Sequence, residues 1–286
     1  MTAFSPLAAA SEGLRMMRRE PKAVLYWIAV WAVALVGIGI VIVALNLLGL
    51  RSFASIRRSG PLAAIAAPTL LALWVMNVAT VYRAVLRPGE HGWHLFKLGR
   101  DEARVATVLA MGVILLIVAG GVPMYALFVL FSPLYHVARG LNWYITLAGA
   151  LSSVALDVWL VVRLSLAPVE TFAEGGFPLR TYWSGTRGQF WRLLFTYIIL
   201  AVEVFIFLMG LGVFGLIVGV ATDVALNWQN PNLLQRLFIW LLVPVTALLA
   251  AVSQVAFWTL IAACQAYAYR AITLKQASEP AADLAG

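Results

Sequence analysis

Residues 22–50 read KAVLYWIAVWAVALVGIGIVIVALNLLGL. After Lys22 the run holds no charge, and it exceeds the roughly 20 apolar helical residues that cross a hydrocarbon core of about 30 Å. No water is available there to pair with the backbone, so the run must close its own hydrogen bonds as a helix. Pro21 suits the first turn of that helix, where its missing N–H would have no partner anyway. Arg15, Arg18, Arg19 and Lys22 precede it like the charged start of a secretory signal, but the apolar stretch is too long for a cleavable one.

Five further runs of this kind follow at 61–86, 104–131, 143–166, 191–220 and 237–269, each bounded by charge, Pro or Gly. The expected fold is an all-α integral membrane protein with six transmembrane helices, arranged as three helical hairpins, with amphipathic helices on the cytoplasmic face. Residues 1–20 read as a juxtamembrane segment, 21–275 as the membrane domain and 276–286 as a flexible tail. Gly120, Gly121 and Pro123 interrupt the third run, where a neighbouring helix can approach closely. The sixth run is longer than the hydrocarbon requires, so Pro244 is expected to kink it or its first turns to lie along the interface.

Composition agrees. Of 286 residues, 63% are apolar and 11% charged, against about 45–50% and about 25% in soluble domains. That excludes a water-soluble globule and a disordered chain. Cys264 is the one cysteine, which excludes a disulfide scaffold. The formal charge of +8 lies between apolar runs, where it sets orientation and meets anionic lipid; a nucleic-acid partner is not expected.

Counted on alternating sides of the spans, fifteen of the twenty Lys and Arg residues fall on one side, leaving Arg51, Arg57, Arg58, Arg139 and Arg236 on the other. The asymmetry predicts cytoplasmic termini and, with the arginine-rich composition, a bacterial inner membrane. The even-numbered spans end alike, in Val81-Tyr82-Arg83-Ala84, Val161-Val162-Arg163-Leu164 and Ala268-Tyr269-Arg270-Ala271. Short charged stretches precede the odd-numbered spans. Together these suggest a threefold repeat over 8–87, 88–167 and 168–275. Six residues before the three arginines stand Asn77, Asp157 and Cys264.

Asp157 and Glu203 fall near the bilayer centre, where an unpaired charge costs roughly 2.5–3.5 kcal/mol. They must face the bundle interior, carry a proton, or find partners such as Asn77, Gln254, Arg163 or Tyr197. Two readings stay open: a proton or cation relay, or a structural polar network. Glu90, His91 and His94 offer metal-ligand atoms but no second cluster joins them, so an interfacial anchor is expected and no metal site. No span contains a histidine, which sets aside bis-histidine haem. Gly210-Leu211-Gly212-Val213-Phe214-Gly215 has the spacing of a dinucleotide loop, yet it lies within an apolar helix without a preceding strand. Cys264 reads as an inert packing residue. No catalytic constellation and no cofactor are expected.

In the segment 170–192, Tyr182, Trp183, Phe190 and Trp191 alternate with Arg180, Arg187 and Arg192. Rings at the carbonyl level and guanidiniums on phosphates would anchor it in the headgroup layer. The runs Arg163-Leu164-Ser165-Leu166-Ala167-Pro168 and Tyr182-Trp183-Ser184-Gly185-Thr186-Arg187-Gly188-Gln189-Phe190-Trp191-Arg192, with Tyr82-Arg83-Ala84-Val85-Leu86-Arg87-Pro88 and Leu98-Gly99-Arg100-Asp101-Glu102, resemble the membrane domain of bacterial glycerophosphoryl diester phosphodiesterases. In those enzymes the membrane domain is fused to a catalytic barrel. Only 11 residues follow Lys275 here, so the resemblance implies a six-span fold and membrane residence, and not hydrolysis.

The expected function is therefore a non-enzymatic membrane protein that binds phospholipid, or acts as a scaffold for another membrane protein or a second copy of itself. The headgroup candidates are Arg83, Arg163, Arg187, Arg192, Trp183 and Trp191. The alternative is a small transporter or channel using Asp157 and Glu203, with Asn77 and Gln254 as further intramembrane polar groups.

Overall fold

The computed structural model describes residues 5–47, 60–87, 99–131, 139–176, 186, 188–226 and 233–283. Its elements are α1 (Pro6–Ala10), α2 (Glu12–Arg19), α3 (Pro21–Leu47), α4 (Gly60–Leu86), α5 (Arg100–Leu116), a π-helical turn (Ile117–Gly121), α6 (Val122–Phe131), α7 (Arg139–Leu164), α8 (Ala167–Glu174), α9 (Phe190–Leu226) and α10 (Leu233–Asp283). The chain is all-helical, with no strand among the described residues. Six stretches are long and apolar enough to cross a membrane: Pro21–Val41, Ala66–Leu86, Arg100–Gly121, Thr146–Glu174, Phe190–Gly210 and Pro244–Thr273. The protein is an integral membrane protein of six candidate spans.

Local chemistry sets the helix ends. α5 begins after Gly99, whose N–H donates to the Glu102 carboxylate at 3.0 Å; Asp101 and Glu102 in its first turn complement the positive end of the helix dipole. α8 carries Pro168 in its first turn and stops at Gly175, which adopts φ of 68° and donates its N–H to the Thr171 carbonyl at 3.1 Å. A residue with a Cβ would be strained in that left-handed conformation.

Three expectations differ in detail. The third span contains no break at Pro123; instead the helix widens into the π-turn 117–121, which takes up the two glycines and resumes as α6. The helix assignment of α10 runs through Pro244 without interruption, because a proline removes one hydrogen bond and neighbouring turns keep the rest. It also continues to Asp283, where a flexible tail is expected from 276. The alanines, Lys275 and Gln276 favour helix there.

The chain divides into two compact units, one of Leu7–Lys97 and Ile198–Cys264, the other of Met1–Pro6, Leu98–Tyr197 and Gln265–Gly286. In the first, Trp27 and Trp31 of α3, Val78, Val81 and Tyr82 of α4, and Leu260 of α10 are buried. α10 contributes Ala247, Ala251, Ala256, Ala262 and Ala263 to this core. Small side chains let membrane helices approach closely, which replaces the hydrophobic drive that lipid cannot supply. α2 is not a free surface helix: Glu12, Gly13 and Met16 are buried, and Gly13 lies against the backbone of Leu260. Its exposed side keeps Arg15 and Arg19 near Glu12, at 3.5 and 3.6 Å.

In the second unit α5 packs on α8, and the π-turn and α6 pack on α7. Val105, Val162, Val169, Phe172 and Leu193 form its core. The outer faces of these helices, including Ile114, Ile117, Tyr125, Leu151 and Val154, are exposed and apolar. Lipid acyl chains satisfy such faces as well as protein would.

Candidate functional site

Two groups of residues carry possible chemistry. The first is the junction leading into α9. Thr186 accepts a backbone hydrogen bond from Gln189 at 3.2 Å, and Gln189 accepts one from Leu193 at 2.9 Å, so the chain turns directly into the helix. Gly188, at φ of 76°, makes that turn possible. Arg163, at the end of α7, donates from Nη1 to the Thr186 hydroxyl at 3.0 Å. Its guanidinium also stands over the rings of Trp159 and Phe190, at 5.9 and 6.0 Å. Phe190 meets Trp191 edge to face at 5.4 Å. Trp191 is 67% exposed and Arg192 is exposed beside it.

The headgroup candidates thus separate. Trp191 and Arg192 present themselves outward. Arg163 is engaged within the protein, where it ties α7 to the start of α9. Arg83, expected to reach lipid phosphate, is buried at 7% exposure, so its guanidinium has almost no surface to offer. Trp183 and Arg187 lie outside the described residues, as do Glu90, His91 and His94. Replacing Arg163 by alanine removes a charged hydrogen bond and two ring contacts. The expected loss is about 1–3 kcal/mol of stability, read as a lower unfolding midpoint, with Thr186→Val shifting it the same way by less.

Next to this junction α8 forms a feature that hydropathy alone does not reveal. Glu170, Thr171 and Phe172 are buried in it. Tyr269 of α10 donates its hydroxyl to Glu174 at 3.4 Å. The signal available in the sequence was Pro168 following Ser165, a helix start two residues after the span ends.

The second group lies inside the spans. Asp157 sits against Gly120 of the π-turn, and a Cβ on Gly120 would come within 2.6 Å of Asp157 Oδ1 and 2.7 Å of its Cγ. Oδ1 is buried without a hydrogen-bond partner. Glu203, half-buried on α9, likewise has Oε2 unpartnered, and its charge is felt at Cys264. Asn77 is fully buried with both side-chain polar atoms unpartnered. Gln254 is exposed, and its Oε1 accepts from the Trp258 indole N–H at 2.9 Å. Asp157 therefore meets a glycine rather than any of the polar partners expected for it. Asn77, Glu203 and Gln254 belong to the other compact unit. Among the described residues no group of three or more His, Cys, Asp or Glu could hold a metal ion.

Comparison of the chain with family models, curated proteins and solved structures returns no match.

Proposed function

We propose that this is a non-enzymatic membrane protein that binds phospholipid headgroups at the leaflet bearing its arginine-rich helix ends, the cytoplasmic leaflet of a bacterial inner membrane. The observation that carries the reading is the outward pair Trp191 and Arg192 at the start of a 21-residue apolar span. An indole settles at the level of the lipid carbonyls while a guanidinium forks onto phosphate. The Arg163 to Thr186 hydrogen bond supports it by fixing the turn from which that pair projects. The resemblance to the membrane domain of glycerophosphoryl diester phosphodiesterases fits the same role, since such a domain would hold a partner at a lipid surface. A scaffold for another membrane protein or a second copy is the closely allied form of this reading.

The test is lipid co-purification. The variant Trp191→Ala with Arg187→Ala and Arg192→Ala should retain markedly less anionic phospholipid than the parent protein at equal yield. Unchanged lipid retention and unchanged capture of membrane partners would remove the proposal.

A second reading, a small transporter or channel, is favoured by the Asp157 carboxylate on a π-turn within a span, because such turns recur at functional positions. Flux in proteoliposomes should then collapse in the variant Asp157→Asn with Glu203→Gln. Flux that survives both substitutions ends that mechanism.

A further inference from the structure

Hydroxyls on the helices of this protein have a default partner, the carbonyl one turn back. Thr80 donates to Met76, Thr107 to Ala103, Thr196 to Arg192 and Ser253 to Leu249, all at 2.7–2.8 Å. Such back-bonding is how a hydroxyl is satisfied in a medium that offers nothing else. Thr259 of α10 departs from it: the residue is fully buried and its Oγ1 has no partner. The available carbonyl is not used.

Close by, two indoles tell the same story. Trp74 of α4 and Trp258 of α10 stack at 4.7 Å between ring centroids. Trp258 donates its N–H to Gln254, whereas the Trp74 N–H is buried and unpartnered. Asn77 follows Trp74 by one helical turn and so shares its face. It is wholly buried with the amide nitrogen and the carbonyl oxygen both unpartnered. Thr259 is the chain neighbour of Trp258, so the ring contact holds the three groups in one region of the same compact unit.

The side chains define the ligand. Trp74 supplies one donor, Asn77 two donors and an acceptor, and Thr259 a donor and an acceptor. The set is uncharged and needs a partner that both gives and takes hydrogen bonds. Water does so in two to four directions, and buried polar groups are satisfied by protein or by ordered water. We propose that Trp74, Asn77 and Thr259 hold a buried water site between α4 and α10, within the membrane span. This goes beyond headgroup binding, which concerns a different compact unit.

Radiolytic hydroxyl labelling of the full chain in lipid nanodiscs, in water enriched with heavy oxygen, tests it, because radicals form where water is bound. Trp74 should take up label several times faster than Phe205, which is 61% exposed on α9 in an apolar span. Thr259→Val, nearly the same shape, should slow labelling of Trp74 severalfold, and Asn77→Leu should slow it further without raising the unfolding midpoint. Equal labelling of Trp74 and Phe205 in the parent protein would overturn the site. So would a raised midpoint in Asn77→Leu, the result for an amide that was dry and is better replaced by hydrocarbon. Loss of lipid retention in the Trp191 and Arg192 variants leaves this outcome unaffected.

Discussion

Gly13→Val is expected to lower the stability of the protein by about 3 kcal/mol or somewhat more, at the upper end of what overpacking a tight contact costs. A Cβ at Gly13 would lie 2.6 Å from Leu260 Cα and 3.3 Å from Leu260 N. These are backbone atoms of a long helix, so no rotamer change relieves the overlap; α2 must withdraw from α10. The single cysteine reports the event. Cys264 is one turn beyond Leu260, shares its face and is 1% exposed. Its reaction with a maleimide should be slow in the parent protein and rise steeply with temperature as the fold opens. In Gly13→Val the midpoint should fall and labelling at room temperature should accelerate. Gly13→Ala should act in the same direction with a smaller shift. Parent-like reactivity in both variants would mean that α2 does not rest on α10.

That contact also marks how far the sequence could be read. The six spans were legible because hydrocarbon thickness and backbone satisfaction leave few choices for a run such as 22–50. Arg18 and Arg19 identify α2 as amphipathic, but amphipathicity does not say whether the apolar side meets lipid or protein. Only a glycine against Leu260 decides that, and no pattern of spacing announces it. Asp157 and Asn77 were legible as polar groups within spans, since each is costly there. Their neighbours were not: a carboxylate's nearest atoms can be those of a glycine, which carries no side-chain signal. Arg83 and Arg163 misled for a related reason. An arginine at a span end can snorkel to phosphate or turn into the protein, and the choice rests on tertiary partners such as Thr186 and Phe190.

The second large effect is expected at Gly120. In an exposed helix Gly→Ala gains about 1 kcal/mol from propensity, so the sign of the measured change is itself informative. Here the new methyl would overlap Asp157, with Oδ1 at 2.6 Å and Cγ at 2.7 Å. The carboxylate has one escape, to swing away from the π-turn. Because α7 faces hydrocarbon through Val154, Val158 and Val161, that movement brings a carboxylate toward acyl chains at a cost of roughly 2.5–3.5 kcal/mol if it is charged. Gly120→Ala should therefore destabilise by about 1–3 kcal/mol. Asp157→Ala removes a side chain whose Oδ1 is already unpartnered, and it should be near neutral or stabilising. The double variant decides the matter. With the carboxylate gone, the methyl at 120 has room, and the loss should be largely recovered, giving a coupling of about 1–3 kcal/mol between the sites. Unfolding followed by tryptophan fluorescence measures all four proteins. Additive effects would mean that Asp157 does not rest on the π-turn; a coupling of that size would mean that the widened helix exists at Gly120 to seat the carboxylate.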